Sequence, residues 1–136
     1  MALRILNRLD EQTEALMHSI IGAAIEVHRE LGPGYLEKVY EKAMSLELRR
    51  RNLAYATQVA VSVHYKGEKI SGQLLDMVVE GRVILELKSV ETVLPIHEAQ
   101  VISYLKSTGI PAGLLINFKE VLVKNGIKRF VRTCSS

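Results

Sequence analysis

At Thr57 the spacing of apolar residues changes from three-and-four to two. That change limits the chain to folds that set helices against a sheet. Before it, Leu16, Met17, Ile20, Ala24, Val27 and Leu31 mark an amphipathic helix over about Asp10 to Leu31. Gly32-Pro33-Gly34 breaks that helix, and a second follows over about Leu36 to Arg50, with Leu36, Val39, Tyr40, Ala43 and Leu46 on its apolar side. After it, Val59, Val61, Val63 and Tyr65 alternate with Gln58, Ala60, Ser62 and His64, the pattern of a half-buried strand. Strands over about Lys69–Val79 and Arg82–Lys88 flank the turn signal Glu80-Gly81 and are apolar on both sides, so they belong in the middle of the sheet. Pro95 opens a third helix that runs to about Ser107 and is closed by Gly109. The continuous apolar run Ala112–Phe118 suits a buried parallel strand, and Ile127–Arg132 adds a weak edge strand. The order α-α-β-β-β-α-β-β predicts a mixed α/β sandwich.

No composition shift or repeat divides the 136 residues, which predicts one domain over 1–136 with its core at about 10–132. The chain is 48% hydrophobic and 24% charged, enough apolar mass for a real core. Eighteen basic against fifteen acidic residues give a net charge of +3, which permits a polyanionic partner without requiring one. A single cysteine, Cys134, excludes an internal disulfide framework and a cysteine metal cage. With neither a membrane-length apolar run nor a signal-peptide core at Met1–Arg8, the expected compartment is the cytoplasm, with no membrane partner.

The unusual residues are the acids inside the most apolar strands: Asp76 within Leu74-Leu75-Asp76-Met77-Val78 and Glu86 within Ile84-Leu85-Glu86-Leu87-Lys88. Buried carboxylates are costly unless paired or bound to a cation. Two of them about 4 Å apart repel by roughly 4 kcal/mol at an effective dielectric near 20. Lys88, two residues beyond Glu86 on the same strand face, offsets part of that, and a divalent metal offsets more. A two-residue turn at Glu80-Gly81 splits the acids between faces. A three-residue loop, Glu80-Gly81-Arg82, sets Asp76 opposite Glu86, with Gly81 at the left-handed position. Joint action of the acids therefore predicts the odd-length loop. On the third helix His97, Gln100 and Tyr104 form one polar stripe that can overhang the acidic strand ends.

An Asp, then Glu-x-Lys on the next strand, then Gln-x-x-x-Tyr on the following helix resembles the PD-(D/E)XK nuclease superfamily, the last element looking like its recombination-type exonuclease branch. More narrowly, the stretch from Gly22 through Glu26, His28 and Arg29 to Gly32-Pro33-Gly34, with Glu37 and Tyr40, is similar to the prokaryotic GxxExxR proteins. Ile84–Lys88, Pro95–Gln100 and Gly113–Phe118 extend that likeness over about Glu14 to Val131. The resemblance implies a restriction-endonuclease-like mixed sheet sandwiched by helices, and a metal-dependent phosphodiester hydrolase acting on DNA more than RNA. It also implies that Asp76 and Glu86 hold Mg²⁺ or Mn²⁺ with the Leu87 backbone carbonyl as a further ligand, and that Lys88 orients the attacking water. Glu37 completes the metal site in preference to Glu26 and Glu41, and Gln100 and Tyr104 position substrate or water. Leu75 stands where a Pro gives the superfamily its name, and Leu74 where the smaller family carries an Arg. Independently, carboxylates without a cysteine cage favour a hard ion, which suits phosphodiester hydrolysis.

Each feature also has a structural explanation. The acids can form an ion-pair cluster in a catalytically inactive nucleic-acid-binding or assembly module. Glu37 and Glu41 can complement a helix dipole. Gly22, Glu26 and Arg29 suit a close contact plus a local ion pair, His28 a surface or interface position, His97 a helix start and Tyr104 the core. Arg49-Arg50-Arg51, Lys124, Lys128, Arg129 and Arg132 are too scattered to define a phosphate-binding surface. Five tyrosines without tryptophan argue against an extended stacking platform. A symmetric homodimer would enlarge the small binding surface.

Overall fold

The computed structural model describes residues 9–132; Cys134 and the N-terminal segment Met1–Arg8 lie outside them. Helices α1 (Glu11–Leu31) and α2 (Glu37–Arg50) are followed by strands β1 (Tyr55–Tyr65), β2 (Glu68–Val79) and β3 (Val83–Lys88). Helix α3 (Pro95–Thr108), β4 (Ala112–Asn117), a single 3₁₀ turn (Val123–Gly126) and β5 (Ile127–Val131) complete the order. The five strands form one open sheet in sequence order, antiparallel except for the β3–β4 pair, which is parallel across the α3 crossover. As the apolar patterning predicts, β3 is central and β5 is an edge.

Helix α1 starts at Asp10, whose carboxylate accepts the Thr13 N–H at 2.6 Å, and stops at Gly32. The helical hairpin lays α1 and α2 on one face of the sheet. There Met17, Ile20, Tyr40, Met44 and Leu48 pack with Met77, Val79, Leu85, Leu87, Leu114 and Phe118. The Tyr40 and Phe118 rings stack at 4.4 Å between centroids, and the Tyr40 hydroxyl donates to the Gly32 carbonyl at 2.5 Å, tying the helical turn to the core. Helix α3 covers the other face, where Val101, Tyr104 and Leu105 meet Val61, Leu75, Val78, Ile84 and Leu115. Its approach is close: a Cβ on Gly113 would stand 2.9 Å from Val101 Cγ1, so β4 needs glycine there.

Strands β1 and β2 do not keep one face throughout. Tyr55 of β1 and Met77 and Val79 of β2 pack on the α1/α2 side, whereas Val59, Val61 and Leu75 pack on the α3 side. Regular alternation would hold 55, 59 and 61 on one face, and likewise 75, 77 and 79. The two strands exchange faces together at Gln58, which the register sets opposite Asp76 and whose φ is +50°. Beyond that point the hairpin continues as an arm whose residues are mostly exposed, Tyr65 at 60% and Ile70 at 50%. The expectation of a half-buried β1 therefore holds only as far as Val61; Val63 and Tyr65 extend past the layer that could bury them.

Candidate metal and nuclease site

The turn between β2 and β3 decides whether the two embedded acids meet. Val79 pairs with Val83, Val78 with Ile84 and Met77 with Leu85, leaving Glu80, Gly81 and Arg82 as a three-residue loop. Glu80 and Gly81 both take positive φ, 54° and 66°, and the Arg82 N–H closes the turn on the Val79 carbonyl at 2.9 Å. A side chain at φ +54° is strained, and Glu80 is held there by bonds to Ala54, the residue before β1: its N–H donates to the Ala54 carbonyl and its carboxylate accepts the Ala54 N–H. This odd-length loop continues the register so that Asp76 faces Glu86.

At that pair the regular ladder ends and the side chains take over its hydrogen bonds. The Glu86 carboxylate accepts the Asp76 N–H at 2.8 Å, and the Asp76 carboxylate accepts the Leu87 N–H at 2.9 Å. The other oxygens, Asp76 Oδ1 and Glu86 Oε1, have no partner among the described residues, and neither is sealed from solvent. Glu86 is buried, at 4% exposure, and Asp76 half-buried. Burial pushes the Glu86 carboxyl up to about 7; the Asp76 N–H opposes the rise, the Asp76 carboxylate adds to it, Lys88 opposes it and Glu37 adds. Burial also raises Asp76, against the Leu87 N–H and Lys88, with Glu41 and Glu37 reinforcing the rise.

Lys88, half-buried, has no carboxylate within 4.0 Å among the described residues. Its carbonyl accepts the Phe118 N–H at 2.9 Å, and Asn117, fully buried, grips Val90 through both its N–H and its carbonyl. The chain leaving β3 after Lys88 is thereby clamped to β4. Leu87 turns its side chain into the α1/α2 core. Glu37, exposed at the first turn of α2, accepts the Ser89 N–H at 3.3 Å, while the Ser89 hydroxyl donates to the Tyr35 carbonyl at 2.7 Å. Glu41 accepts the Gln58 amide at 3.1 Å. Among the described residues no three His, Cys, Asp or Glu side chains are drawn together closely enough to make a ready-formed metal cage. What stands together is a pair, Asp76 and Glu86, with Glu37 and Glu41 beyond it.

Tyr104 approaches from α3. It is buried, its hydroxyl donates to the Leu74 carbonyl at 3.3 Å and accepts the Gln73 amide at 2.7 Å. Burial raises its hydroxyl, the Gln73 bond opposes that, and the charges of Glu86 and Asp76 add to it. Gln100 lines a groove beside Tyr104. His97 caps α3, its Nδ1 accepting the Leu94 N–H at 3.0 Å. His28 is buried rather than on the surface: Nε2 lies 2.8 Å from the Glu120 carbonyl and the ring stacks near Phe118. That position follows from the chain returning through the 3₁₀ turn beside α1, which no local pattern at His28 reveals. Glu26 pairs with Arg29, and Gly22 lies against the Arg51 guanidinium, a close contact and a local ion pair.

Sequence reasoning passed over Asn117 and Gln58. A polar residue inside the apolar run Ala112–Phe118 is the same signal that marks Asp76 and Glu86, so Asn117 was detectable. Gln58, in the alternating pattern of β1, carries no such signal.

Residues 14–130 match the sequence pattern of the PD-(D/E)XK nuclease superfamily. The chain belongs to that superfamily. Three helices about a five-stranded mixed open sheet agree with its restriction-endonuclease-like fold. PD-(D/E)XK nucleases generally use divalent metal ions. A solved structure described as that of SSO0001 is similar at 19% identity with a TM-score of 0.48, over 72% of this chain and 50% of that one. The chain thus spans about half the length of that protein. No curated protein matches this sequence. Among the described residues no helix is long and apolar enough to cross a membrane.

Proposed function

We propose that this PD-(D/E)XK domain is a phosphodiester hydrolase acting on DNA in preference to RNA, with Asp76 and Glu86 as ligands of Mg²⁺ or Mn²⁺. The observation that carries the reading is the convergence of these two carboxylates at the splayed end of the β2–β3 ladder. Each spends one oxygen on the opposite strand and keeps the other free. Two hard, partly desolvated anionic oxygens fit a hard cation, and burial that raises both carboxyls is the penalty such an ion would relieve. The Leu87 carbonyl, and Glu37 after release of its weak bond to Ser89, are the further oxygens we assign to the ion. Bound there, it supplies positive charge to phosphate oxygen and lowers the pKa of coordinated water.

The chain's own groups divide the remaining work. Lys88, without an ion pair among the described residues, holds the attacking water and steadies charge on the phosphate. Asn117 fixes the segment that carries it. Tyr104 and Gln100 position substrate from the α3 side. The narrower likeness to the GxxExxR proteins, and to the exonuclease branch with Gln-x-x-x-Tyr, rests on Gly22–Gly34 and on Gln100 and Tyr104 themselves.

A second reading, an inactive nucleic-acid-binding module, draws support from the backbone bonds that already satisfy one oxygen of each acid. Incubation of single- and double-stranded DNA and RNA with Mg²⁺ or Mn²⁺ separates the two. We expect cleavage by the wild type and its loss by about 100-fold or more in Asp76→Ala, Glu86→Ala and Lys88→Ala. Metal-dependent cleavage that persists in all three variants would refute the assignment, and no cleavage by the wild type would favour the inactive module.

A further inference from the structure

An open groove lies alongside the carboxylates rather than over them. It is a groove of about 610 Å³ between α3 and the arm formed by β1 and β2. Its polar wall includes His64 and Gln73 from the arm with Gln100, Ser103, Tyr104 and Lys106 from α3, against an apolar surface that includes Val61 and Ile96. The face exchange at Gln58 and Asp76 creates it. Once Val61 and Leu75 swing to the α3 side, the outer part of the arm runs past α3 and leaves a channel between them.

Its chemistry differs from that of the site it adjoins. Four carboxylates surround the strand ends, yet no carboxylate lines the groove. Its polar groups are amides, hydroxyls and an imidazole, with one fixed positive charge at Lys106. Amides and hydroxyls are donors and acceptors suited to base edges, and a lone lysine suits one phosphate. The volume is that of a small-ligand site, far too small for a duplex. The groove meets the acidic pair at Tyr104, whose hydroxyl bonds both Gln73 on the groove wall and the carbonyl of Leu74, two residues before Asp76.

We propose that this groove holds the unpaired nucleotides flanking the phosphodiester to be cut, so that the protein acts on single-stranded segments. The ligand is a nucleic-acid strand whose bases are free of pairing, read at their edges by Gln73, Gln100 and Ser103 and held at a phosphate by Lys106. This assignment rests on the nuclease reading for the bond that is cut, but not for the binding itself.

The test uses the full chain and fluorescein-labelled 12-mers, single-stranded DNA, single-stranded RNA and the matching DNA duplex, followed by anisotropy in Ca²⁺ buffer. Ser103→Trp fills the groove from an exposed position on α3, and Lys106→Glu reverses its charge from another. The wild type should bind single strands more tightly than duplex. Each variant should weaken single-strand binding by about tenfold or more while leaving duplex binding unchanged. The DNA and RNA arms identify which strand is preferred. Unchanged single-strand affinity in both variants, or equal loss for strand and duplex, would overturn the proposal. Hydrolysis of bis(4-nitrophenyl) phosphate with Mn²⁺ reports on the carboxylate site alone, and both groove variants should retain it. Wild-type hydrolysis with groove-insensitive binding removes the groove and leaves the nuclease. Groove-sensitive binding without any hydrolysis does the reverse.

Discussion

The two faces of the sheet are built to different rules. The face under α1 and α2 carries the larger, continuous apolar cluster, running from Met17 to Phe118, with the Tyr40 hydroxyl satisfied at its rim. The face under α3 carries a smaller apolar cluster, and beside it lie Glu86, Asp76, Tyr104 and an open groove. Both faces share β2 and β3, so the difference does not come from the strands as elements. It comes from which side chains alternate onto each side, and from the point where β1 and β2 exchange sides. One face makes the domain stable, and the other keeps the charged and unfilled features that stability alone would remove.

Large truncations should expose this contrast most sharply. Phe118→Ala, in the α1/α2 face and stacked on Tyr40, should cost about 3–5 kcal/mol by chemical denaturation. A cost under about 1 kcal/mol would mean that the α1/α2 face is not the stabilising one.

Glu86→Gln should do the opposite. The amide oxygen can still accept the Asp76 N–H, while the buried charge is gone. Because the folded-state carboxyl sits near 7 and its ordinary value is 4.5, the folded metal-free protein binds the extra proton between those values. Stability is therefore greatest below about pH 4.5 as far as this group is concerned, and is lost as pH rises through 7. Asp76, also raised, contributes in the same direction. At pH 8 without metal, Glu86→Gln should melt roughly 3–8 °C above the wild type, with the gap closing as pH falls towards 5. A variant that melts lower at pH 8 would show the carboxylate to be a stabilising partner rather than a strained one.

The smallest effect concerns the hinge between the two regimes. Gln58→Gly removes a left-handed φ of +50° from a side chain but also the bond to Glu41. These terms nearly cancel, giving a change within about 1 kcal/mol. The informative readout is the groove, since a freer hinge should weaken single-strand binding even where the melting temperature stays put.

These positions also mark how far the sequence could be followed. The period change at Thr57, the break at Gly32-Pro33-Gly34 and the apolar run Ala112–Phe118 lead to the observed elements within a residue or two, because burial on one or both faces writes itself into local spacing. The acids were visible for the converse reason, as charges where apolar residues belong. Their meeting was not, since a two-residue and a three-residue loop at Glu80 both suit the pattern; the bonds from Glu80 to the distant Ala54, just before β1, favour the longer loop. The hinge at Gln58 and the burial of His28 depend on contacts with distant segments, β2 and Glu120, and leave no local trace.

The function of the domain turns on whether two acids drawn together at the end of a ladder take up a hard cation. Titration of Mn²⁺ by calorimetry into the wild type, Asp76→Ala and Glu86→Ala at pH 8 measures this directly. Saturable binding in the wild type and its loss in both variants is the predicted result; identical heats from all three proteins would contradict it.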